Sequence, residues 1–330
     1  MSVESIAGVH LVPGSLVRSW AEVGYHPDGA PIRIPFMVLT GVKPGPVLLV
    51  TCAIHGPEVA GYEVIRRLLR QEIRPTDLSG TVIALPYANP LAVRYDSYYV
   101  LEDGLNLNRV FPGSRTDSLT SRMAELIFRE FVSPADFVVD FHANPEPALE
   151  FSIVKLVGEP ATQDKTREMA QAFGITTLIM SSRYEKHRTG TLIEAAMVAG
   201  KPSLIVELVP WRRAERRSVQ LGLVGLVNVM AHLGMVDSGR YRKQDHQWLA
   251  AGLLNRIDVT CDKGGFAEPL VDIGQPVKEG EPILRILDPF GDVVEEVTSP
   301  RDGWVVAFPW SESQCVGTGE AVAFVVFRES

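Results

Sequence analysis

The sequence predicts an α/β layered domain followed by a small all-β module, and three observations carry that reading. Short apolar runs suited to strands buried on both faces alternate with helical patterns through the first two thirds of the chain. After about residue 235 the character changes, with a polar stretch and then no helical period from about 257 to the end. That last part is rich in Val, Gly and Pro and carries an internal repeat. A length of 330 residues, at roughly 150 per domain, is consistent with two such units.

Taken in order, residues 47–53 (VLLVTCA) form a continuous apolar run, long enough for a buried strand and too short for a helix. A helix is predicted over 58–70, with Val64, Ile65, Leu68 and Leu69 at helical spacing and Pro57 just inside its start. Further strands are predicted at 81–86, 136–142, 151–157, 175–180 and 203–209, and helices at 117–131, 161–173, 190–199 and 215–233. Residues 1–236 then make the α/β domain, 237–254 a linker that opens on the polar DSGRYRKQDHQ, and 255–330 the β-module. In the module, Val277-x-x-Gly280-Glu281-x-Ile283 recurs 39 residues on as Val316-x-x-Gly319-Glu320-x-Val322, around the turn in VTSPRDGWVV (297–306). The pattern resembles lipoyl/biotinyl barrel-sandwich modules. Their modified lysine would fall near 292, where this chain has Asp292, and Lys278 lies in the first repeat instead. A structural or oligomerising appendage is therefore expected, not a swinging arm.

Composition narrows the function. With 32 Lys+Arg against 40 Asp+Glu the formal net charge is −8, which argues against a partner held by its phosphates. The apolar stretches stay well short of the ~20 residues that span a bilayer. The N-terminal segment shows no basic region followed by an apolar one. Three scattered cysteines (Cys52, Cys261, Cys315) offer neither a disulfide framework nor a metal knuckle. The expectation is a cytoplasmic globular protein in which any metal is held by His and carboxylate.

Four segments bear chemistry. In AIHGPE (53–58), His55 and Glu58 follow a strand end at i,i+3, which on a helix places both on one face. Imidazole and carboxylate suit Zn²⁺, although such a pair alone is most often a solvated helix start. In DFHAN (140–144), His142 closes an apolar strand at the sheet edge where α/β proteins bind ligands. Asp140 is placed to orient it, while a lone His there is more readily a packing residue. LNLNRVFPG (105–113) reads as a loop holding Asn108 and Arg109, an amide beside a guanidinium suited to a carboxylate, or a plain surface pair. Glu207 sits in the apolar strand PSLIVELVP. Burial there costs several kcal/mol unless the acid is paired, neutral or functional, and it raises the pKa toward the range of a general base.

Together and in this order, HGPE, NPLAVR, DGLNLNRVFPG, DFH and the Glu-bearing strand resemble the succinylglutamate desuccinylase/aspartoacylase family, of zinc-carboxypeptidase-like fold, from roughly residue 40 to 235. The resemblance implies one Zn²⁺ per chain on His55, Glu58 and His142. It implies Glu207 as the acid that takes a proton from the attacking water and passes it to the leaving amine. It implies Asn108 and Arg109 as the pair that binds the substrate carboxylate. The family also places an arginine ahead of that pair to polarise the scissile carbonyl. The aligned position here holds Tyr98, with Arg94 the nearest arginine, so one of these two is expected in that role. In the 181–191 loop, Arg188, with Arg183 and His187, is expected to meet a second anionic group.

Zinc would lower the pKa of its water from 15.7 toward ~7 and polarise the amide. No GxSxG elbow or P-loop offers a competing apparatus. The expected function is therefore hydrolysis of a small anionic N-acyl amino acid, with no nucleic-acid or membrane partner and with a homo-oligomer permitted. A metallocarboxypeptidase acting on peptides, and a catalytically idle binding protein of the same fold, are the alternatives.

Overall fold

The structure is a computed structural model that describes residues 4–181, 190–310 and 313–329. The strands run β1 (Ser5–Ile6), β2 (Val9–His10), β3 (Ser15–Tyr25), β4 (Pro31–Thr40), β5 (Lys43–Cys52), β6 (Ser79–Leu85), β7 (Phe137–Ala143), β8 (Phe151–Lys155), β9 (Thr176–Met180) and β10 (Ser203–Leu208). Between them lie α1 (Ala60–Arg67), α2 (Pro90–Arg94), α3 (Leu119–Ile127), α4 (Pro160–Phe173) and α5 (Leu192–Val198), and α6 (Arg216–His232) follows β10. The remaining strands are β11 (Gln247–Trp248), β12 (Leu254–Thr260), β13 (Gly265–Pro269), β14 (Pro276–Val277), β15 (Pro282–Leu287), β16 (Val293–Thr298), β17 (Gly303–Ala307), β18 (Cys315–Val316) and β19 (Ala321–Arg328).

One large mixed sheet has the order β14-β17-β19-β12-β9-β8-β10-β7-β5-β6-β4-β3, and β11 pairs beside β9. At its centre β10, β7, β5 and β6 are mutually parallel, which brings their C-terminal ends to one edge. The apolar runs are buried as read: Val47 through Cys52 in β5 and Val138, Val139 and Phe141 in β7 are all inaccessible or nearly so. Helices cover both faces. Val64, Phe173 and Leu226 pack on one side of the sheet, and Met123, Ile127, Leu192 and Met197 on the other. Among the described residues no helix is long and apolar enough to cross a membrane.

Three features depart from the sequence reading. The helix predicted from 58 begins at Ala60, so Pro57 precedes it and residues 55–58 form a turn. The antiparallel hairpin β3–β4 has no counterpart in the prediction. In β4 the alternation of buried Ile32, Ile34, Phe36 and Val38 is a half-buried strand signal, which a search for continuous apolar runs passes over. The segment 237–254 is not an open tether, since β11 pairs in parallel with β9 at Thr176 and Thr177.

Beyond it, β12 continues the main sheet through a single pairing, Leu254 with Met180. The repeat emerges as β14–β15 and β18–β19, and β13, β15, β16 and β18 form a second sheet. Val277, Ile283, Leu284, Val297 and Val325 pack between these layers, while Phe151, Met180, Leu254, Val306 and Val326 fill the junction with the large sheet.

Close packing of α1 on the sheet depends on Gly61. A Cβ there would lie 2.4 Å from Cβ of Phe141 and 2.9 Å from Sγ of Cys52. Gly61→Ala is expected to destabilise the protein by about 1–3 kcal/mol through overpacking, read as a lower denaturant midpoint. An unchanged midpoint would show that α1 can shift at no cost.

Candidate metal centre and active-site cavity

The site forms where β5, β7 and β10 end together. Ala53, at the end of β5, takes a left-handed conformation (φ 55°) that turns the chain sharply before His55. Gly56 then passes under α2 so closely that a Cβ would sit 2.2 Å from the carbonyl oxygen of Ala92. The turn, rather than a helical face, brings His55 and Glu58 together. Glu58 N–H donates to the carbonyl of His55 at 3.2 Å, and Nδ1 of His55 lies 2.9 Å from Oε1 of Glu58. From β7, Nδ1 of His142 lies 2.6 Å from Oε2 of the same carboxylate. One ligand atom from each of the three buried residues can be chosen so that all lie within 4.8 Å of one another.

The outer nitrogens are also engaged. Nε2 of His142 is 2.9 Å from Oδ2 of Asp140, and Thr51 donates its hydroxyl to Oδ1 at 2.6 Å. Nε2 of His55 is 3.3 Å from Oδ1 of Asn106. An acceptor at each Nε2 would keep a proton there, so a cation that displaced the proton each Nδ1 shares with Glu58 would meet two Nδ1 lone pairs, the arrangement in which histidines ligate metals. Burial alone would raise Glu58, but the His55 and His142 imidazoles reverse that and hold it at about 2. Burial would lower His142, yet the Asp140 and Glu58 carboxylates raise it well above the ordinary imidazole range. A buried carboxylate held ionised between two imidazoles is a centre prepared for a cation.

Glu207 lies in register with His142 on the neighbouring strand and accepts from the Asn144 amide at 3.2 Å. Burial, reinforced by the nearby Glu58 and Asp140 carboxylates, raises it to about 7 against the opposing pull of His142 and Arg256. Tyr98 donates its hydroxyl to Oε1 of Glu58 at 3.0 Å, with its ring 4.4 Å from that of His55. Burial and then the Glu58 and Glu207 carboxylates push this phenol well above its ordinary range, so it remains a donor. Asn108 and Arg109 line the same cavity of about 430 Å³, a size suited to a small molecule. The Asn108 amide oxygen is already committed to the N–H of Leu192 at the start of α5. Arg109 donates from Nη1 to the Asn108 carbonyl at 2.6 Å.

The cavity thus gathers His55, Glu58, Tyr98, Asn108, Arg109, His142 and Glu207. Arg94 is not brought there. It ends α2 on the exposed side, where a guanidinium keeps its hydration, and of the two donors considered only Tyr98 faces the site. Arg188, Arg183 and His187 lie outside the described residues. Asn106, Asn144, Trp211, Lys155 and Arg256 went unread in the sequence. A lysine inside the apolar run FSIVKLV was the one local signal, and Lys155 is buried at the cavity wall. Five residues of the C-terminal part (Arg256, Pro309, Glu320, Ala321 and Phe324) also line the cavity, so this segment is more than an appendage.

Residues 44–233 match the profile of the succinylglutamate desuccinylase/aspartoacylase catalytic domain. The N-alpha-acetyl-L-2,4-diaminobutyric acid deacetylase of Halomonas elongata is 28% identical over 304 residues, covering 89% of this chain and 85% of that protein. The product-bound ectoine utilization protein EutE (DoeB) of Ruegeria pomeroyi superposes with a TM-score of 0.83 at 26% identity, covering 97% of each chain. For the fold alone, a metallo-carboxypeptidase from Burkholderia cenocepacia gives 0.50 at 16% identity, over 66% of this chain and 65% of that one. With more than half its length matched, the chain belongs to the succinylglutamate desuccinylase/aspartoacylase family, on a carboxypeptidase-like mixed sheet.

Proposed function

We propose that this protein is a zinc-dependent amidohydrolase that removes the N-acyl group from a small amino-acid derivative. The observation that carries the reading is the convergence of His55, Glu58 and His142 beside Glu207, on parallel strand ends within one cavity. Two imidazoles and a carboxylate are the donor set of hydrolytic zinc sites, and Asp140 and Asn106 supply the outer support such ligands need. When bound, one zinc per chain would acidify water and polarise the amide carbonyl.

The protein's own groups do the rest. Glu207 takes the proton of the attacking water and delivers it to the leaving nitrogen, and the Asn144 amide holds its carboxylate. Arg109 and the amide N–H groups of Asn108 hold the substrate carboxylate, fixing the scissile bond against Glu207. Once zinc claimed the Glu58 carboxylate that it donates to here, the Tyr98 hydroxyl would be the donor to the carbonyl oxygen, in place of an arginine.

The reading includes the division into a catalytic part (1–236), a connecting segment (237–254) and a β-module (255–330), and action in the cytoplasm. The deacetylase activity in the Halomonas relative's name supports an N-acyl amino acid as substrate. The module residues that wall the cavity favour small molecules over peptides.

A hydrolysis screen with Zn²⁺ over N-acetyl-L-2,4-diaminobutyrate and N-acetyl, N-succinyl and N-formyl amino acids tests this. Turnover of at least one is expected, with none on peptides. Peptide cleavage in its place would favour the carboxypeptidase reading. No hydrolysis of either kind, with zinc bound, would favour an idle binding protein.

A further inference from the structure

The C-terminal segment places a half-occupied guanidinium on the wall of the cavity. Arg256 and Asp258 are two apart on β12, so both side chains leave the same face of the strand. Nε of Arg256 donates to Oδ1 of Asp258 at 2.7 Å and Nη2 donates to Oδ2 at 3.2 Å. Its Cζ stands 4.0 Å from the ring centroid of Phe324, on β19. Two of the five N–H groups and one flat face are thereby taken. Among the described residues no acceptor meets the Nη1 N–H groups, although the side chain lines the cavity that holds Glu207 and the His–Glu–His cluster. Glu320, the acid on the same wall, accepts from the N–H of Gly317. The Nη1/Nη2 edge of Arg256 is a two-pronged donor, pinned in place and matched in shape to a carboxylate.

We propose, building on the deacylase reading, that Arg256 is a substrate-positioning residue that grips the substrate carboxylate together with Arg109, so that the C-terminal module completes the binding site. The strand pairing explains how. Leu254 joins β12 to β9 of the catalytic sheet, and two residues later the chain has carried Arg256 to the cavity instead of out to solvent. Arg109 reaches the same cavity from the 3₁₀ turn Leu107–Arg109, so two arginines from distant parts of the chain serve one small site.

The test compares zinc-loaded wild type, Arg256→Met and Arg256→Lys on the N-acyl amino acids that the wild type hydrolyses, N-acetyl-L-2,4-diaminobutyrate first, and on their carboxamides. Arg256→Met is expected to raise KM for the carboxylate substrate about ten- to hundredfold, the factor a charged hydrogen-bonded pair supplies. Zinc content and Tm should be unchanged, KM for the carboxamide should move far less, and added guanidinium ion should recover part of the loss. Arg256→Lys, which keeps the charge without the fork, should fall between and preserve the preference for carboxylate. It also serves as the test if the methionine variant fails to fold. Equal losses on carboxylate and carboxamide, or an unchanged KM, would overturn the proposal.

Calorimetry in a Glu207→Gln background separates this from the deacylase reading. If the wild type hydrolyses nothing while N-acetyl-L-2,4-diaminobutyrate binds and Arg256→Met weakens that binding, the deacylase reading falls and the Arg256 site stands. If nothing binds, both fall.

Discussion

His55→Ala is expected to lose both the metal and the activity. With one of three ligands gone, the remaining Glu58 and His142 make a poor site, and the several kcal/mol a catalytic cation contributes amount to about a thousandfold or more in turnover. Elemental analysis should find about one zinc per wild-type chain and little in the variant. His142→Ala should behave the same way. A graded result is expected one layer out. Asp140→Asn leaves all three ligands but weakens the acceptor at Nε2 of His142, so zinc affinity should drop about 10- to 100-fold while the fold persists. A wild-type protein that takes up no zinc, or a His55→Ala protein with full activity, would remove the metal from the mechanism.

Glu207→Gln separates proton transfer from metal binding. The glutamine matches the carboxylate in size and can still pair with the Asn144 amide through its oxygen, and the three ligands are untouched. Zinc content should therefore equal that of wild type while kcat falls about 10²- to 10⁴-fold, the range for loss of a positioned acid–base group. The pH profile supplies a second measure. Burial first, and then the neighbouring carboxylates, raise Glu207 to about 7, so it is protonated below that pH and unable to accept a proton. Activity should thus fall as pH falls. A bound dication favours the ionised form, so the acidic limb of kcat/KM in the zinc enzyme should lie below 7. The variant should lack that limb. Wild-type-like turnover in Glu207→Gln would move the base to another residue.

The strands at 47–53, 136–142 and 203–209 were legible because burial on both faces leaves a continuous apolar run, and they appear as β5, β7 and β10 within a few residues at either end. The repeat at 277 and 316 was legible for a similar reason, since each copy is one local strand–turn–strand unit. The helix start at 58 was misplaced because Pro57 is equally at home in a turn, and helix boundaries carry little local signal. Arg94 entered only through its distance along the chain from Asn108. A single helical turn at Pro90–Arg94 is enough to send it to solvent while Tyr98 faces inward.

The division between the two levels follows from the range of the forces involved. Which residue types stand at strand ends is a local property, so apolar runs and short spacings made His55, Glu58, His142 and Glu207 candidates, and their order along the chain, through the family resemblance, joined them into one site. The tertiary structure decided which atoms of those residues meet. It set both Nδ1 atoms on one carboxylate, put Asp140 and Asn106 behind the rings, and seated Tyr98 on Glu58. It also decided that the C-terminal strands return to the catalytic sheet and bring Arg256 to the cavity. No periodicity records that last contact. It depends on the pairing of Leu254 with Met180, residues far apart in the chain that are joined only when the apolar junction around Phe151, Val306 and Val326 is buried.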